Sequence, residues 1–589
     1  MNLILKGGEF LIKETDIQTN FIPEDLNEDQ LMIRNSVRTF VTNEVQPKGN
    51  EMANQVDLLH QAGELGLLAA HIPEEYGGSP LDTHSNTLIS EELGRGNGSF
   101  STSIAAHTGI GMLPILYFGS EELKKKYLPG LSNGTLKASY CLTEPSSGSD
   151  ALSAKSQARL SDDGKSYILN GQKMWISNAG FADIFIVFAQ VDGTKFTGFL
   201  VEKGTAGLTL GAEEHKLGIK GSSTRQVFLE NVTIPITNVL GEVGKGHLIA
   251  FNVLNIGRYK LGTMAMGGCK LCITEATKYA NDRIQFAQPI SSFGAIKYKI
   301  AEMAIRTFVT ESTVYRVSDL MDDKKNEELA AGHDYANAML ESAEEYAVEC
   351  AIIKIYGSEV LDFVSDELLQ IHGGNGYSEE YAPARVYRDS RINRIYEGTN
   401  EINRMLIINM ILKRTMKGQL DLVGPAWEVQ KELTGLPKME VPEGRFGLEW
   451  RSVKDFKKLT LMVAGAAVKY QIDGKHDLKD QQEILMNVAD MMIDLYNSES
   501  ALLRVEKLAS RLDESEIEAQ IAMMKVYIWD AQSRLVKNAQ DALASFAKGD
   551  EFRIMLMGIK RFARYEAVNV KELRRVIADK IIDAGEYCY

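Results

Sequence analysis

A chain of 589 residues exceeds what one hydrophobic core organises, and about three to five domains are expected. With 44% hydrophobic and 25% charged residues it has the composition of an ordinary globular protein, which leaves little room for long disordered stretches. The net charge of −15 argues against nucleic acid as a partner, since that calls for a basic surface.

Residues 1–137 read as a helical domain. Within 27–45 the apolar positions 31, 32, 33, 37, 40 and 41 follow a helical period, and 55–69 and 86–93 continue in that style. From 138 to 255 short apolar runs alternate with turn residues, which predicts a middle antiparallel β domain. Asn170–Gly171 and Asp192–Gly193 read there as hairpin turns. From 256 to 413 long helical patterns return over 257–282, 294–323 and 334–371, with a fourth at 399–413, as in a four-helix bundle. Gly424, Pro425, Pro437, Pro442 and Gly444 mark 414–450 as a linker. Residues 451–589 contain no proline and read as an additional helical domain. The fold class is thus α+β.

The five cysteines (Cys141, Cys269, Cys272, Cys350, Cys588) are odd in number and mostly far apart, which suits a reducing, cytoplasmic compartment. Cys269 and Cys272 form a CxxC inside a helical pattern with no second pair. The nine histidines form no HxH or HExxH, so no metal site is expected. The N-terminus does not read as a signal peptide, and no run of about eighteen apolar residues would span a membrane.

Four segments offer chemistry. The loop of ASYCLTEPSSGSD (138–150) presents backbone N–H groups and hydroxyls, although Ser/Gly turns are common in their own right. In KMWISN (173–178) Trp175 either fills a core or lies flat against an aromatic ligand, with Ser177 on the same face. Arg283, Gln285 and Phe286 follow a helix; the arginine suits either the helix dipole or a pyrophosphate. The last segment, 370–404, joins a glycine-rich loop, the arginines 385, 388, 391 and 394, and Glu397 beside Gly398. Thr399 is placed to cap the next helix, with Glu401 in its first turn. Glu397 is then either an ordinary loop glutamate or a base with a raised pKa in a dry cleft. No GxxxxGK[ST], no strand-linked GxGxxG and no GxSxG occurs, so a nucleotide cofactor needs another binding mode.

Taken together, YCLTEPSSGSD, KMWISN, DRIQF (282–286), QIHGGNGY and IYEGTNEINR resemble, in order, the signatures of the acyl-CoA dehydrogenase family over residues 25–413. The resemblance implies an FAD enzyme. Tyr140, Leu142, Thr143, Ser149, Trp175 and Ser177 match residues lining the flavin ring and ribityl chain. Arg283, Gln285 and Phe286 match residues on the FAD pyrophosphate and adenosine, supplied across a subunit interface. Gln370, Gly373 and Gly374 match the loop that completes that site, and Thr399 and Glu401 match further FAD contacts. Glu397 falls on the catalytic base; some members carry the base immediately before the arginine matching Arg258, where this chain has Gly257.

Asn255, Arg258, Tyr396 and Gly398 match residues near CoA and the substrate. Thr102 and Ala106 match the helix that closes the acyl pocket, where medium-chain members carry larger side chains. Residues 451–589 resemble the C-terminal extension of very-long-chain members. The implied reaction is α,β-dehydrogenation of long-chain acyl-CoA in fatty acid β-oxidation: Glu397 takes the α-proton, the β-hydride passes to FAD, and electrons leave to an electron-transferring flavoprotein. An acyl-CoA oxidase using O₂ and a non-catalytic flavoprotein of the same fold are the alternatives. A homodimer is expected, with a tetramer as the alternative, and peripheral membrane contact through 424–457 is a further expectation.

Overall fold

The computed structural model describes residues 4–435 and 442–589. The N-terminal region is helical. Asn27 caps Glu28–Phe40 by accepting from the Gln30 N–H, and Gln30 returns the bond in a capping box. Two later helices matter for the site: α1 (Thr83–Gly94) and α2 (Gly98–Ala105), each capped by the asparagine or aspartate before it.

The middle region is one sheet containing β1 (Ala138–Cys141), β2 (Gln157–Leu160), β3 (Ser166–Ser177), β4 (Ile184–Val191), β5 (Lys195–Glu202), β6 (Leu208–Glu213), β7 (Thr224–Pro235) and β8 (Val239–Leu240). It is mixed, where a wholly antiparallel sheet was expected: β1 and β2 both run parallel to β4. Asp192–Gly193 does turn β4 into β5, with both residues at positive φ. Asn170–Gly171 is no hairpin. It lies inside β3 at a register shift against β7, and a Cβ on Gly171 would meet the Ser156 hydroxyl at 2.1 Å.

The boundary expected at 255/256 falls within the long helix α3 (Gly246–Asp282). Asn255 and Gly257 both sit in its interior, where tertiary packing overrides the low helix propensity of glycine. α3 packs with α4 (Gly294–Ala330) and α5 (Ala347–His372), and α6 (Asn400–Met416) packs on α5. The pattern expected as one helix over 334–371 breaks at Tyr346, after Tyr335–Glu345. α3 and α5 approach closely through glycines: a Cβ on Gly262 would meet the Ile353 side chain at 2.3 Å.

The stretch 414–450 is not wholly a linker, since Val423–Thr434 is helical; its residues 436–441 lie outside the described residues. Beyond it, α7 (Gly447–Ile472), α8 (Gln482–Ala509), α9 (Glu518–Phe546) and two shorter helices form the additional helical region. One apolar cluster runs through the core helices and this region, from Phe10 through Val309 and Leu502 to Tyr587. No helix among the described residues is long and apolar enough to cross a membrane.

Candidate active site

Glu397 and Gly398 both adopt positive φ, 58° and 79°, immediately before α6. Such a conformation costs about 1–3 kcal/mol at a non-glycine residue and must be imposed by its surroundings. Three side chains impose it. Thr399 caps α6 through the Ile402 N–H. Asn403 donates to the carbonyls of Glu397, Gly398 and Thr399. Lys354 on α5, fully buried, donates to the Gly398 carbonyl at 2.8 Å and to Asn400 Oδ1 at 2.7 Å.

The carboxyl itself is left free. Glu397 Oε2 is buried and accepts no hydrogen bond. Burial pushes the group up to about 7, while the charges of Arg258 and Lys354 act in the opposite direction. Neither cation bonds the carboxylate; both bond backbone carbonyls. Gly257 on α3 makes room for it, since a Cβ there would lie 2.8 Å from Oε2.

Glu397 faces a cavity lined by small or apolar residues of α2, the turn that follows it, and α3, among them Thr102, Ala106, Gly109, Gly257, Leu261 and Gly268. Tyr396 and Ser177 border the same space. Tyr396 is oriented by its hydroxyl, which donates to Asn393 Oδ1 at 2.8 Å. Asn255 and Arg258, expected near CoA, are both buried. Arg258 donates to Asn255 Oδ1 at 2.7 Å and to the Glu397 carbonyl at 3.4 Å, so the pair braces the loop that carries Glu397.

The sheet brings the loop after β1 to this place. The Tyr140 hydroxyl is buried without a partner and lies within the electrostatic reach of Glu397 and Arg258. The Ser177 carbonyl accepts from Ser139, and Asn178 bonds the Ser103 carbonyl at 2.8 Å, which joins β3 to α2. Between Lys173 and Ile176 the pairing of β3 with β7 shifts register, Trp175 takes φ 60°, and its indole is turned out, 53% exposed. Met174 N–H bonds the Thr143 carbonyl. Beneath the loop, Lys173 donates to the Leu142 carbonyl and to Glu144, which in turn accepts from the N–H groups of Lys155 and Ser156. Ser149 is exposed at the rim, and Glu401 is exposed on the first turn of α6.

The remaining expected residues form a separate group. Gly257 lies in the interior of α3 and Arg283 caps its C-terminal end, about 39 Å away at 1.5 Å per residue. Arg283 ends α3, and Gln285 and Phe286 lie in the short hairpin after it, with Phe286 90% exposed. Gln370, Gly373 and Gly374 lie at the neighbouring end of α5, where His372 stacks on Tyr279 of α3. One chain therefore does not bring these six residues to Glu397.

Sequence reasoning missed Lys354, Asn403 and the Lys173–Glu144 pair. A lysine within AIIKIYGSEV, an otherwise apolar run, was the one available signal for Lys354. Of the arginine stripe, Arg388 pairs with Glu379 and Arg394 with Asp362.

Four domain models match in order. They are described as acyl-CoA dehydrogenase N-terminal domain (residues 27–135), middle domain (139–232) and C-terminal domain (244–412), and a second model described as acyl-CoA dehydrogenase C-terminal domain (455–561). A probable acyl-CoA dehydrogenase of Bacillus subtilis (strain 168) is 45% identical over 99% of this chain and 98% of its own length. The very long-chain specific acyl-CoA dehydrogenase of Bos taurus mitochondria is 36% identical over 90% of this chain and 83% of its own. The crystal structure of a Bacillus anthracis acyl-CoA dehydrogenase complexed with FAD superposes with a TM-score of 0.95 at 45% identity, covering 99% of this chain and 100% of that one. A free buried carboxyl on a channel of small residues, likeness over nearly the full length, and all four domain models agree: this chain belongs to the acyl-CoA dehydrogenase family.

Proposed function

We propose that the chain is an FAD-dependent dehydrogenase that desaturates long-chain acyl-CoA thioesters between the α and β carbons. The observation that carries this reading is the Glu397 carboxyl, buried, unbonded and facing the channel. A carboxyl at about 7 is divided between base and acid near neutrality, which suits removal of a weakly acidic α-proton.

The residues present fit FAD. The unpartnered Tyr140 hydroxyl lies on β1 and the open Trp175 indole face on β3, the strand whose Ser177 borders the Glu397 cavity. FAD supplies the hydride acceptor there. What the chain supplies is position and a dry wall: Lys354, Asn403 and Arg258 fix the backbone of Glu397, and Tyr396, Ile219 and Leu261 exclude water around it. The group at Arg283 and Gln370 is supplied to the cofactor by a second copy of the chain, in a homodimer.

The length of the channel supports a long acyl chain. Its wall on α3 runs from Gly257 to Gly268, roughly 16 Å at 1.5 Å per residue, and the facing Thr102, Ala105, Ala106 and Gly109 are small. Electrons then pass to an electron-transferring flavoprotein. The test is anaerobic flavin bleaching with acyl-CoAs of graded length. Wild type bleaches, with preference for long chains, and Glu397→Gln loses about 10²–10⁴-fold in rate. No bleaching at any length overturns the reading, and one peroxide formed per turnover in air replaces the electron-transferring flavoprotein by O₂.

A further inference from the structure

The Lys354 amine that holds the Gly398 carbonyl is one end of a longer chain of hydrogen bonds. Asn400, the first residue of α6, lies beside it and is 2% exposed. Its Oδ1 accepts from Lys354 at 2.7 Å, and its Nδ2 donates to Glu359 Oε1 of α5 at 3.0 Å. Glu359 also accepts from Arg404 of α6, through Nη1 at 2.8 Å and Nη2 at 3.2 Å. The remaining guanidinium nitrogen, Arg404 Nε, donates to Asp490 Oδ1 at 2.7 Å. Asp490 lies on α8, in the additional helical region, 86 positions along the chain from Arg404.

The spacing on α6 makes this possible. Asn400 and Arg404 stand one turn apart on the same helical face, so both reach Glu359. Each bond is also directional. A guanidinium presents its donors on fixed vectors, so a bidentate grip on Glu359 together with the bond to Asp490 fixes Glu359 relative to α8. Glu359 engages the Asn400 amide nitrogen, which leaves the amide oxygen to Lys354. Lys354 then holds the carbonyl of Gly398, beside Glu397, where two successive positive φ angles must be imposed from outside. Simple packing of α8 on α6 would make Asp490 matter for stability alone. The unbroken run of bonds gives it a second role.

We infer that Asp490 is a positioning residue for the Glu397 loop, acting through Arg404, Glu359, Asn400 and Lys354. The additional helical region thereby helps to set the carboxyl of the dehydrogenase core. The catalytic part of this inference rests on the reading of Glu397 as the base.

The holoenzyme tests it as wild type, Asp490→Ala, Lys354→Met and the double variant. In the first arm, the rate of anaerobic flavin reduction at saturating acyl-CoA falls about two- to thirtyfold in Asp490→Ala. Asp490→Ala costs nothing further on the Lys354→Met background, because the run of bonds is already cut there. Fold-losses that multiply in the double variant, or no loss in Asp490→Ala, overturn the relay. In the second arm, amide hydrogen exchange is followed by mass spectrometry over residues 395–403. Those amides are closed by bonds to Ile392 and Thr399, and they exchange faster in Asp490→Ala, while the hairpin after α3 is unchanged. A lower Tm with neither faster exchange at 395–403 nor slower reduction assigns Asp490 to packing and overturns the proposal. If Asp490→Ala does not fold, Arg404→Lys takes its place under the same criteria, since one ammonium cannot reproduce the fork that joins Glu359 to Asp490. If no acyl-CoA reduces the wild-type flavin, the reading of Glu397 fails, and the exchange arm alone decides whether Asp490 holds the loop.

Discussion

At the scale of the residue, the site separates two tasks that one ion pair would confuse. Arg258 and Lys354 bring positive charge towards Glu397, but they spend their hydrogen bonds on the carbonyls of Glu397 and Gly398. The carboxylate is stabilised through space and remains available to a proton. Lys354 is a positioning residue in this arrangement, with its own amine lowered to about 7 mainly by burial. Lys354→Met removes one positive neighbour, so the ionised form of Glu397 is favoured less and its pKa rises. As the proposed base, Glu397 must be ionised to act, and the rise of kcat/KM with pH is therefore expected to move to higher pH, by about one unit or less. A purely structural loss would lower the rate equally at every pH, and the pH profile distinguishes the two. Stability carries the same signature. The folded-state pKa of Glu397 lies above its unfolded value, so the folded chain binds the extra proton between about 4.5 and 7. Stability falls as pH rises through that window. In Glu397→Gln that contribution is absent, and Tm measured at pH 5 and pH 8 shows the variant gaining on wild type at the higher pH.

At the scale of the element, α3 forms one wall of the cavity proposed to take the acyl chain and also makes room for Glu397. Gly257→Ala improves helix propensity by about 1 kcal/mol, yet sets a methyl 2.8 Å from Glu397 Oε2. The expected result is a fall in flavin-reduction rate of about 10²-fold, as for a misplaced group, with Tm unchanged or raised. On the facing wall, Ala106→Glu puts a long polar side chain into the channel, and the preference for longer acyl chains in kcat/KM is lost; unchanged chain-length kinetics would remove the case for Ala106 as a depth determinant. These elements also show what the sequence could reveal. Glu397, Gly398 and the Thr399 cap were legible because their geometry is local, set by residues three or four apart. The bracing by Lys354 and Arg258 was not, because it depends on how α3 and α5 pack against a loop 44 and 139 positions away in the chain. The parallel pairing of β1 with β4 was hidden for the same reason, since Ala138 meets Ile184. Asn170–Gly171 misled in the opposite way: a turn-like dipeptide was used for a close approach to Ser156 inside a strand.

At the scale of the whole molecule, the additional helices are joined to the dehydrogenase core by buried charge as well as by apolar packing. Arg504 of α8, 1% exposed at its side chain, donates to Glu311 of α4 at 2.7 Å and to Glu24 near the N-terminus. Glu311 also accepts from Lys270 of α3 and from Tyr587 at the far end of the chain. A second knot repeats the pattern: Arg316 of α4 bonds Glu499 of α8 and Thr15, and Lys457 of α7 bonds Glu499 and the Lys13 carbonyl. Each knot takes its members from the N-terminal segment, the core bundle and the extra region, so none of the three is satisfied without the others. Because the apolar cluster is also continuous across them, unfolding is expected as one cooperative calorimetric transition. Arg504→Met tests the joint. It leaves Glu311 to Lys270 and Tyr587 alone and removes the buried partner of Glu24, and breaking a buried pair in this way costs about 3–5 kcal/mol. The expected outcome is a clear drop in Tm, or a split into two transitions as the extra region releases first. Arg553→Met, which breaks the exposed pair with Asp550, is the matched control and leaves Tm unchanged. If Arg504→Met melts with that control, apolar packing alone holds the extra region and the charged knots serve only to fix its orientation.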